Sequence, residues 1–254
     1  MTPRSIYDSE RLAAGYAQER PPVHRHIAEE MAEYLRMKEP AGYALDVGCG
    51  AGLSTAALEK LAEKAVGLEP VPTMLKHSRV VAPRALFAVG RAERLPFPAA
   101  RFDLLTAAGS LNYADLNLFL PEAARVLTPG GVMVIYDFSA VRRPRRSSQL
   151  DAWFSTFERR YPFPPDYDLE VRRLPYEASG LRLEAYHEQE VAISMSLPAY
   201  LRYAMTETNV EQAISNGVSE AEIREWCEET LREVFGDQTL DVLFDAYIAY
   251  VRKG

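Results

Sequence analysis

Ala44-Leu45-Asp46-Val47-Gly48-Cys49-Gly50-Ala51-Gly52-Leu53-Ser54 reads as a short apolar strand, an acidic residue, three alternating glycines and the start of a helix. A strand that turns straight into a helix leaves free backbone N–H groups at the helix start. That end also carries partial positive charge. Glycine permits positive φ and removes the Cβ that would hold a ligand away. Gly48, Gly50 and Gly52 therefore let a ligand lie against the main chain.

Spacing narrows the ligand. A dinucleotide fingerprint reads G-x-G-x-x-G, with pyrophosphate at the helix end. Here the spacing is G-x-G-x-G, and Leu53 stands where the third dinucleotide glycine belongs. A second apolar run, Ala65-Val66-Gly67-Leu68-Glu69-Pro70, ends in Glu69. That is roughly 20 residues past the glycines, where α/β nucleotide sites hold an acid for ribose hydroxyls. A third segment is Val89-Gly90-Arg91-Ala92-Glu93-Arg94-Leu95-Pro96-Phe97-Pro98, followed by Arg101-Phe102-Asp103-Leu104-Leu105. A fourth is Glu122-Ala123-Ala124-Arg125-Val126-Leu127-Thr128-Pro129-Gly130-Gly131, running into Val132-Met133-Val134-Ile135-Tyr136-Asp137.

Taken in this order, the four segments resemble the class I S-adenosylmethionine (SAM)-dependent methyltransferases. They are most similar to the small-molecule group called methyltransferase type 11. The resemblance covers roughly residues 40–138. It implies SAM as cofactor and S-adenosylhomocysteine as product. It also implies that Asp46, Gly48 and Gly50 meet the methionine end, with Asp46 suited to its ammonium. Glu69 would take the ribose, and Pro70, Met74, Arg91, Ala92, Glu93 and Ala108 would complete the cofactor site. Arg91 departs from the pattern. The family usually has Asp or Asn there, contacting the adenine amino group, and arginine has no acceptor. Either the contact passes to Glu93 or the Ala92 backbone, or Arg91 stacks or faces solvent.

Composition bounds the partners. The chain has 254 residues, 48% of them apolar, and a formal net charge of −7. That suits one elaborated domain with a substantial core. It disfavours nucleic acid, which needs a basic face. The run Arg142-Arg143-Pro144-Arg145-Arg146 is the local exception and reads first as a solvated loop. Cys49 and Cys227 are far apart, and Cys49 lies inside the glycine turn, so no disulfide and a cytoplasmic setting are expected. No apolar run reaches membrane-spanning length, and no signal-peptide core opens the chain. Nothing in the sequence reports an oligomeric state.

The expected fold is α/β: a Rossmann-like, doubly wound, seven-stranded sheet. Strands are expected near 43–47, 64–68, 85–89, 102–107, 131–137, Leu181–Ile193 and Val242–Arg252. The resemblance implies that the last strand is antiparallel. Residues 1–40 read as an N-terminal helical cap, with a helix over Val23–Lys38 showing Ile27, Met31, Tyr34 and Leu35 on one face. Residues 41–254 form the main domain, with a helical insertion over about 194–237. Helices are expected there at Leu197–Thr206 and Ser219–Phe235, the second opened by a Ser219-x-x-Glu222 capping box. The cap and insertion are expected to cover the carboxyl ends of the strands, where open α/β sheets bind ligands.

Methyl transfer from a sulfonium is an in-line displacement of an already activated group. Orientation supplies much of the rate, so no universal catalytic residue is expected. Tyr16 and Arg20 match a Tyr and Arg with which relatives close over the cofactor carboxylate; a packed Tyr and a surface Arg would read the same way. His24 is a general-base candidate, although a lone histidine near a helix start is commonly just polar surface. Tyr113 lies in Gly109-Ser110-Leu111-Asn112-Tyr113, at the rim after the fourth strand, where many relatives carry a pair of histidines that this chain lacks. Tyr200, Tyr203, Met195 and Met205 either line an apolar acceptor pocket or are core. Phe163-Pro164-Pro165-Asp166 only superficially resembles an amino-methylating tetrad, and neither cysteine sits in a Pro-Cys motif. The favoured reading is transfer to O, N or C of a small molecule. Three rivals stand beside it: a SAM-binding regulator without activity, an NAD-type oxidoreductase, and an RNA or protein methyltransferase using the 142–146 arginines.

Overall fold

The computed structural model describes residues 6–140, 149–164 and 169–254. The Arg142–Arg146 run, and Pro165 and Asp166 of the proline-rich segment, lie outside the described residues. The strands are β1 (Ala41–Val47), β2 (Ala62–Glu69), β3 (Leu86–Val89), β4 (Phe102–Ala108), β5 (Leu127–Ala140), β6 (Leu181–Met195) and β7 (Leu240–Lys253). They form one seven-stranded sheet in the order β3-β2-β1-β4-β5-β7-β6. Neighbours from β3 to β5 pair in parallel, and β7 runs antiparallel to both β5 and β6. This is the Rossmann-like α/β fold expected from the sequence, with its antiparallel last strand.

Strand alternation explains the layering. Successive side chains leave a strand on opposite faces. On β5, Val132, Val134 and Tyr136 enter one buried cluster, while Met133 and Ile135 enter the other. On β7, Phe244, Ala246, Ile248 and Tyr250 join the first, and Ala249 and Val251 the second. Both faces are thus apolar and both must be covered. Fully burying each such side chain contributes about 1.5–3 kcal/mol, which makes the central strands the rigid frame of the site.

The helices are α1 (Glu10–Glu19), α2 (Val23–Tyr34), α3 (Leu53–Leu58), α4 (Pro72–Leu75), α5 (Ser78–Val81), α6 (Leu116–Val126), α7 (Gln149–Arg160), α8 (Leu197–Ala204), α9 (Thr208–Ser215) and α10 (Glu220–Phe235). Val23, Ile27, Ala28 and Met31 are the buried stripe of α2. Spacing of three and four residues puts them on one face. Ser9 caps α1 by accepting from the Leu12 N–H.

Two local expectations change, and one open alternative closes. Ser219 is the N-cap of α10 but makes no side-chain capping bond, so the capping box does not form. The fifth strand is longer than the expected 131–137: β5 begins directly at Leu127, with a register shift against β4 between Phe102 and Leu104. Tyr200, Tyr203, Met195 and Met205 are core rather than pocket wall, each no more than 6% exposed and packed around Phe244, Phe235 and Trp153.

Ion pairs tie α1 and its C-cap to the helices between β6 and β7. Arg11 donates to Glu211 at 2.6 and 2.9 Å and to the Met205 carbonyl at 2.9 Å. Arg202 donates to Glu19 at 2.7 Å, and Arg20 to Glu207 at 3.2 Å.

Candidate functional site

A cavity of about 1120 Å³ opens over the carboxyl ends of β1, β2, β4 and β5. Its wall brings together Tyr16, Arg20, His24, Gly48, Gly50, Glu69, Pro70, Met74, Arg91, Ala92, Glu93, Ala108 and Tyr113. Asp46 is not among the lining residues.

The glycine turn has the geometry that its spacing demands. Gly48, Gly50 and Gly52 hold φ of 72°, 53° and 96°. A Cβ on Gly48 would come within 2.3 Å of the Ser110 Cβ, and Ser110 donates to the Val47 carbonyl at 2.7 Å. The turn is thus clamped from the side of β4. Glu69 clamps it from the side of β2: its carboxylate accepts from the Gly50 N–H at 3.0 Å and the Val71 N–H at 2.9 Å. One oxygen engages each amide, which leaves lone pairs for further donors. Burial raises the Glu69 pKa, and the two backbone bonds oppose that rise.

Asp46 is turned away from the cavity and engaged within the fold. It is fully buried and takes three hydroxyl donors: Ser54 at 2.6 Å, Thr55 at 2.7 Å and Thr106 at 2.9 Å. Burial raises its pKa against those three bonds. The carboxylate therefore pins α3 to the ends of β1 and β4 from beneath the turn. Three of its roughly four acceptor sites are engaged there, on the side away from the cavity.

On the 90–98 side, Arg91 is exposed and makes no side-chain hydrogen bond or ion pair among the described residues. Glu93 accepts from the Asp115 N–H at 3.0 Å. Arg125 fixes this wall by donating to the Leu95 and Phe97 carbonyls at 2.9 and 2.7 Å, and Glu122 accepts from the Leu95 N–H at 2.7 Å. The proline-rich wall and the helix before β5, distant in sequence, form one clamp.

At the other end, Arg20 lies 4.2 Å over the Tyr16 ring and donates to Glu207 and to the Thr206 carbonyl at 3.0 Å. Its Nε is buried and has no hydrogen-bond partner among the described residues. The Tyr113 and Tyr7 hydroxyls meet at 3.0 Å, and Tyr113 is 63% exposed. His24 is bonded through Nδ1 to the Tyr136 hydroxyl at 2.9 Å. Sequence reasoning missed Tyr7, Phe138, Phe163 and Glu207 as lining residues. No local pattern marks them, because they reach the cavity through tertiary contacts.

Residues 45–135 match the family model described as a methyltransferase domain. The structure of a protein from Anaeromyxobacter dehalogenans, described as a type II methyltransferase, superposes with a TM-score of 0.67 at 23% identity, over 90% of this chain and 95% of that one. Residues 45–135 thus match a methyltransferase domain, and the sheet that carries them has the fold of a class I methyltransferase. Over 102 residues, the domain is 37% identical to the demethylmenaquinone methyltransferase of Tropheryma whipplei, which covers 39% of this chain and 43% of that protein. Over 96 residues it is 32% identical to the ubiquinone biosynthesis O-methyltransferase of Azorhizobium caulinodans, covering 36% and 38%. This chain therefore spans less than half the length of these curated relatives. The [4+2]-cyclase SpnF shares the fold as well, with a TM-score of 0.53 at 18% identity over 90% of this chain and 81% of that one. A methyltransferase fold alone thus does not fix the reaction, and the site has to argue it. Among the described residues no helix is long and apolar enough to cross a membrane, no group of ligands could hold a metal ion, and Cys49 and Cys227 are both buried and unpaired.

Proposed function

We propose that the chain is a SAM-dependent methyltransferase acting on a small-molecule acceptor. The observation that carries this is Glu69: a carboxylate held by the glycine turn's own amide and facing the same cavity as the turn. Two hydroxyls on adjacent carbons, as on a ribose, match a carboxylate with free lone pairs on both oxygens. At the methionine end, Gly48 and Gly50 offer backbone and the orphaned Nε–H of Arg20 offers a charged donor for a carboxylate. Pro70, Met74, Ala92 and the Glu93 region form the adenine wall, with Arg91 at its solvent edge and Ala108 at the strand end between the two.

The bound sulfonium would supply an activated methyl group. The chain's own task is to align an acceptor, exclude water and hold the cofactor rigid. Tyr7, Tyr16 and the Arg20–Glu207 pair serve that task as a cover. Small-molecule names among the relatives, the quinone methyltransferases above, support the acceptor class. So does the formal net charge of −7, which suits a nucleic acid poorly.

Calorimetric titration with SAM, S-adenosylhomocysteine and NAD tests the reading. SAM and its product bind and NAD does not, and Glu69→Gln weakens binding by about 10-fold or more, the loss of one charge-assisted bond. Preference for NAD, or indifference to Glu69→Gln, overturns the proposal.

A further inference from the structure

His24 sits in the first turn of α2 and lines the cavity. Its ring is packed edge-on by Tyr136 and Phe138, with centroids 5.7 and 4.9 Å away. Its Nδ1 is 2.9 Å from the Tyr136 hydroxyl. Burial first, and the Arg20 charge second, push its pKa down to about 3. The ring is therefore uncharged across the physiological range.

Hydrogen-bond accounting then fixes which nitrogen carries the proton. Tyr136 is 1% exposed, and among the described residues Nδ1 of His24 is the one side-chain partner of its hydroxyl. If Nδ1 carried the proton, the tyrosine would accept and its own O–H would be a buried donor with no acceptor. Such an orphan costs about 1–3 kcal/mol. Burial and the nearby Asp46 and Asp137 carboxylates hold the Tyr136 pKa far above its usual value, so the O–H keeps its proton. Tyr136 donates to Nδ1, and the proton of the imidazole is on Nε2. That nitrogen makes no hydrogen bond among the described residues and is not a buried orphan.

We propose that His24, fixed as the Nε2–H tautomer by Tyr136, is a hydrogen-bond donor that selects acceptors presenting an oxygen atom, such as a carbonyl, carboxylate or phenolate, to this end of the cavity. The proposal rests on the methyltransferase reading for the word acceptor, but the tautomer does not. It also replaces a general-base role for His24. A nitrogen that already carries its proton, on a ring whose other nitrogen is engaged, has no lone pair to take a second one. Arg20 is the charged group that acts on the ring, and Glu207 pairs it. The incoming oxygen is recognised by the imidazole N–H, a neutral donor.

The chain has four histidines, so long-range nitrogen-15 correlation spectra of the labelled full chain are readily assigned with His24→Asn. The expected result is an Nε2–H pattern for His24, unchanged between pH 8 and pH 5. Tyr136→Phe should abolish the preference while the ring stays in place. An Nδ1–H pattern, or titration near the ordinary histidine value, overturns the tautomer. The second arm uses protein with S-adenosylhomocysteine and two probes, 4-hydroxybenzoate and benzylamine. The oxygen probe should shift the His24 Nε2 resonance and bind at least 10-fold more weakly to His24→Phe, with S-adenosylhomocysteine affinity unchanged. No shift with 4-hydroxybenzoate, or a shift with benzylamine alone, overturns the oxygen subsite. Failure to bind S-adenosylhomocysteine would instead overturn the proposed function and leave the tautomer result standing.

Discussion

The guanidinium of Arg20 donates to the Glu207 carboxylate at 3.2 Å, joining the C-cap of α1 to the N-cap of α9 across the mouth of the cavity. Both side chains are nearly buried, at 13% and 12% exposure. The same arginine keeps its Nε without a partner. It is thus both a strut between two parts of the chain and an unsatisfied donor beside the site.

Separating those two roles gives the first prediction. Glu207→Gln should destabilise the protein by about 1–3 kcal/mol in urea unfolding, somewhat under the range for a fully buried pair. Arg20→Lys should lower S-adenosylhomocysteine affinity about 10-fold or more, because an ammonium cannot reproduce the planar fork. Glu207→Gln should lower it less. Equal effects on affinity would mean that Arg20 acts only as the strut.

Gly48 and Gly130 make a controlled pair. Both have positive φ, 72° and 75°. A Cβ on Gly48 would meet Ser110 at 2.3 Å, whereas one on Gly130 would meet nothing within 4 Å. Gly130→Ala should cost about 1 kcal/mol from backbone conformation alone. Gly48→Ala should cost more than twice that and abolish cofactor binding. Comparable unfolding midpoints for the two would refute the clamp between the glycine turn and Ser110.

Asp46→Asn tests whether that side chain is a pin or a ligand contact. Asparagine keeps one acceptor oxygen where three hydroxyls now donate. A loss of about 1–3 kcal/mol in stability is expected, with the folded protein still binding S-adenosylhomocysteine at wild-type affinity. A selective loss of affinity at unchanged stability would return Asp46 to the ammonium of the ligand.

The contrast between Asp46 and Glu69 shows what the sequence discloses. Both end an apolar strand beside the glycine turn, and both read as ligand contacts. Which of them faces the cavity depends on the hydroxyls of Ser54, Thr55 and Thr106, the last 60 positions from Asp46. No local pattern carries that information. The strands were legible because both faces of the sheet are buried and the apolar runs are continuous; even the antiparallel β7 followed from the resemblance. Helix α9 escaped notice because it is short and has Asn209 and Glu211 buried on its inner side. The Tyr136–His24 pair spans 112 positions and joins a strand to a helix start. Tyr200 and Tyr203 show the converse: aromatic spacing on a helix fits either a pocket wall or a core, and here it is core.

His24 also sets a pH dependence of stability. Its pKa is about 3 in the folded chain, against an ordinary 6.5. Below pH 6.5 the unfolded chain takes up this proton and the folded chain does not, so the histidine's contribution is complete above 6.5 and is lost as pH falls toward 3. The slope is about 1.4 kcal/mol per pH unit for a single group. Urea unfolding of wild type and His24→Asn between pH 7 and pH 5 should show the shallower decline in the variant. Parallel curves would mean that the folded ring titrates normally.

The antiparallel β7 has a consequence for how such a chain diversifies. Met195 at the end of β6 and Leu240 at the start of β7 are direct partners on the ladder. Everything from 196 to 239, including α8, α9 and α10, therefore leaves and re-enters the sheet at a single rung. A parallel crossover must run from one end of a strand back to the opposite end of the next, which constrains its length and path. A hairpin excursion has no such constraint. This segment could be exchanged as a cassette, remodelling the Glu207–Thr208 side of the cavity while the glycine turn, Glu69 and the parallel strands beneath keep their register.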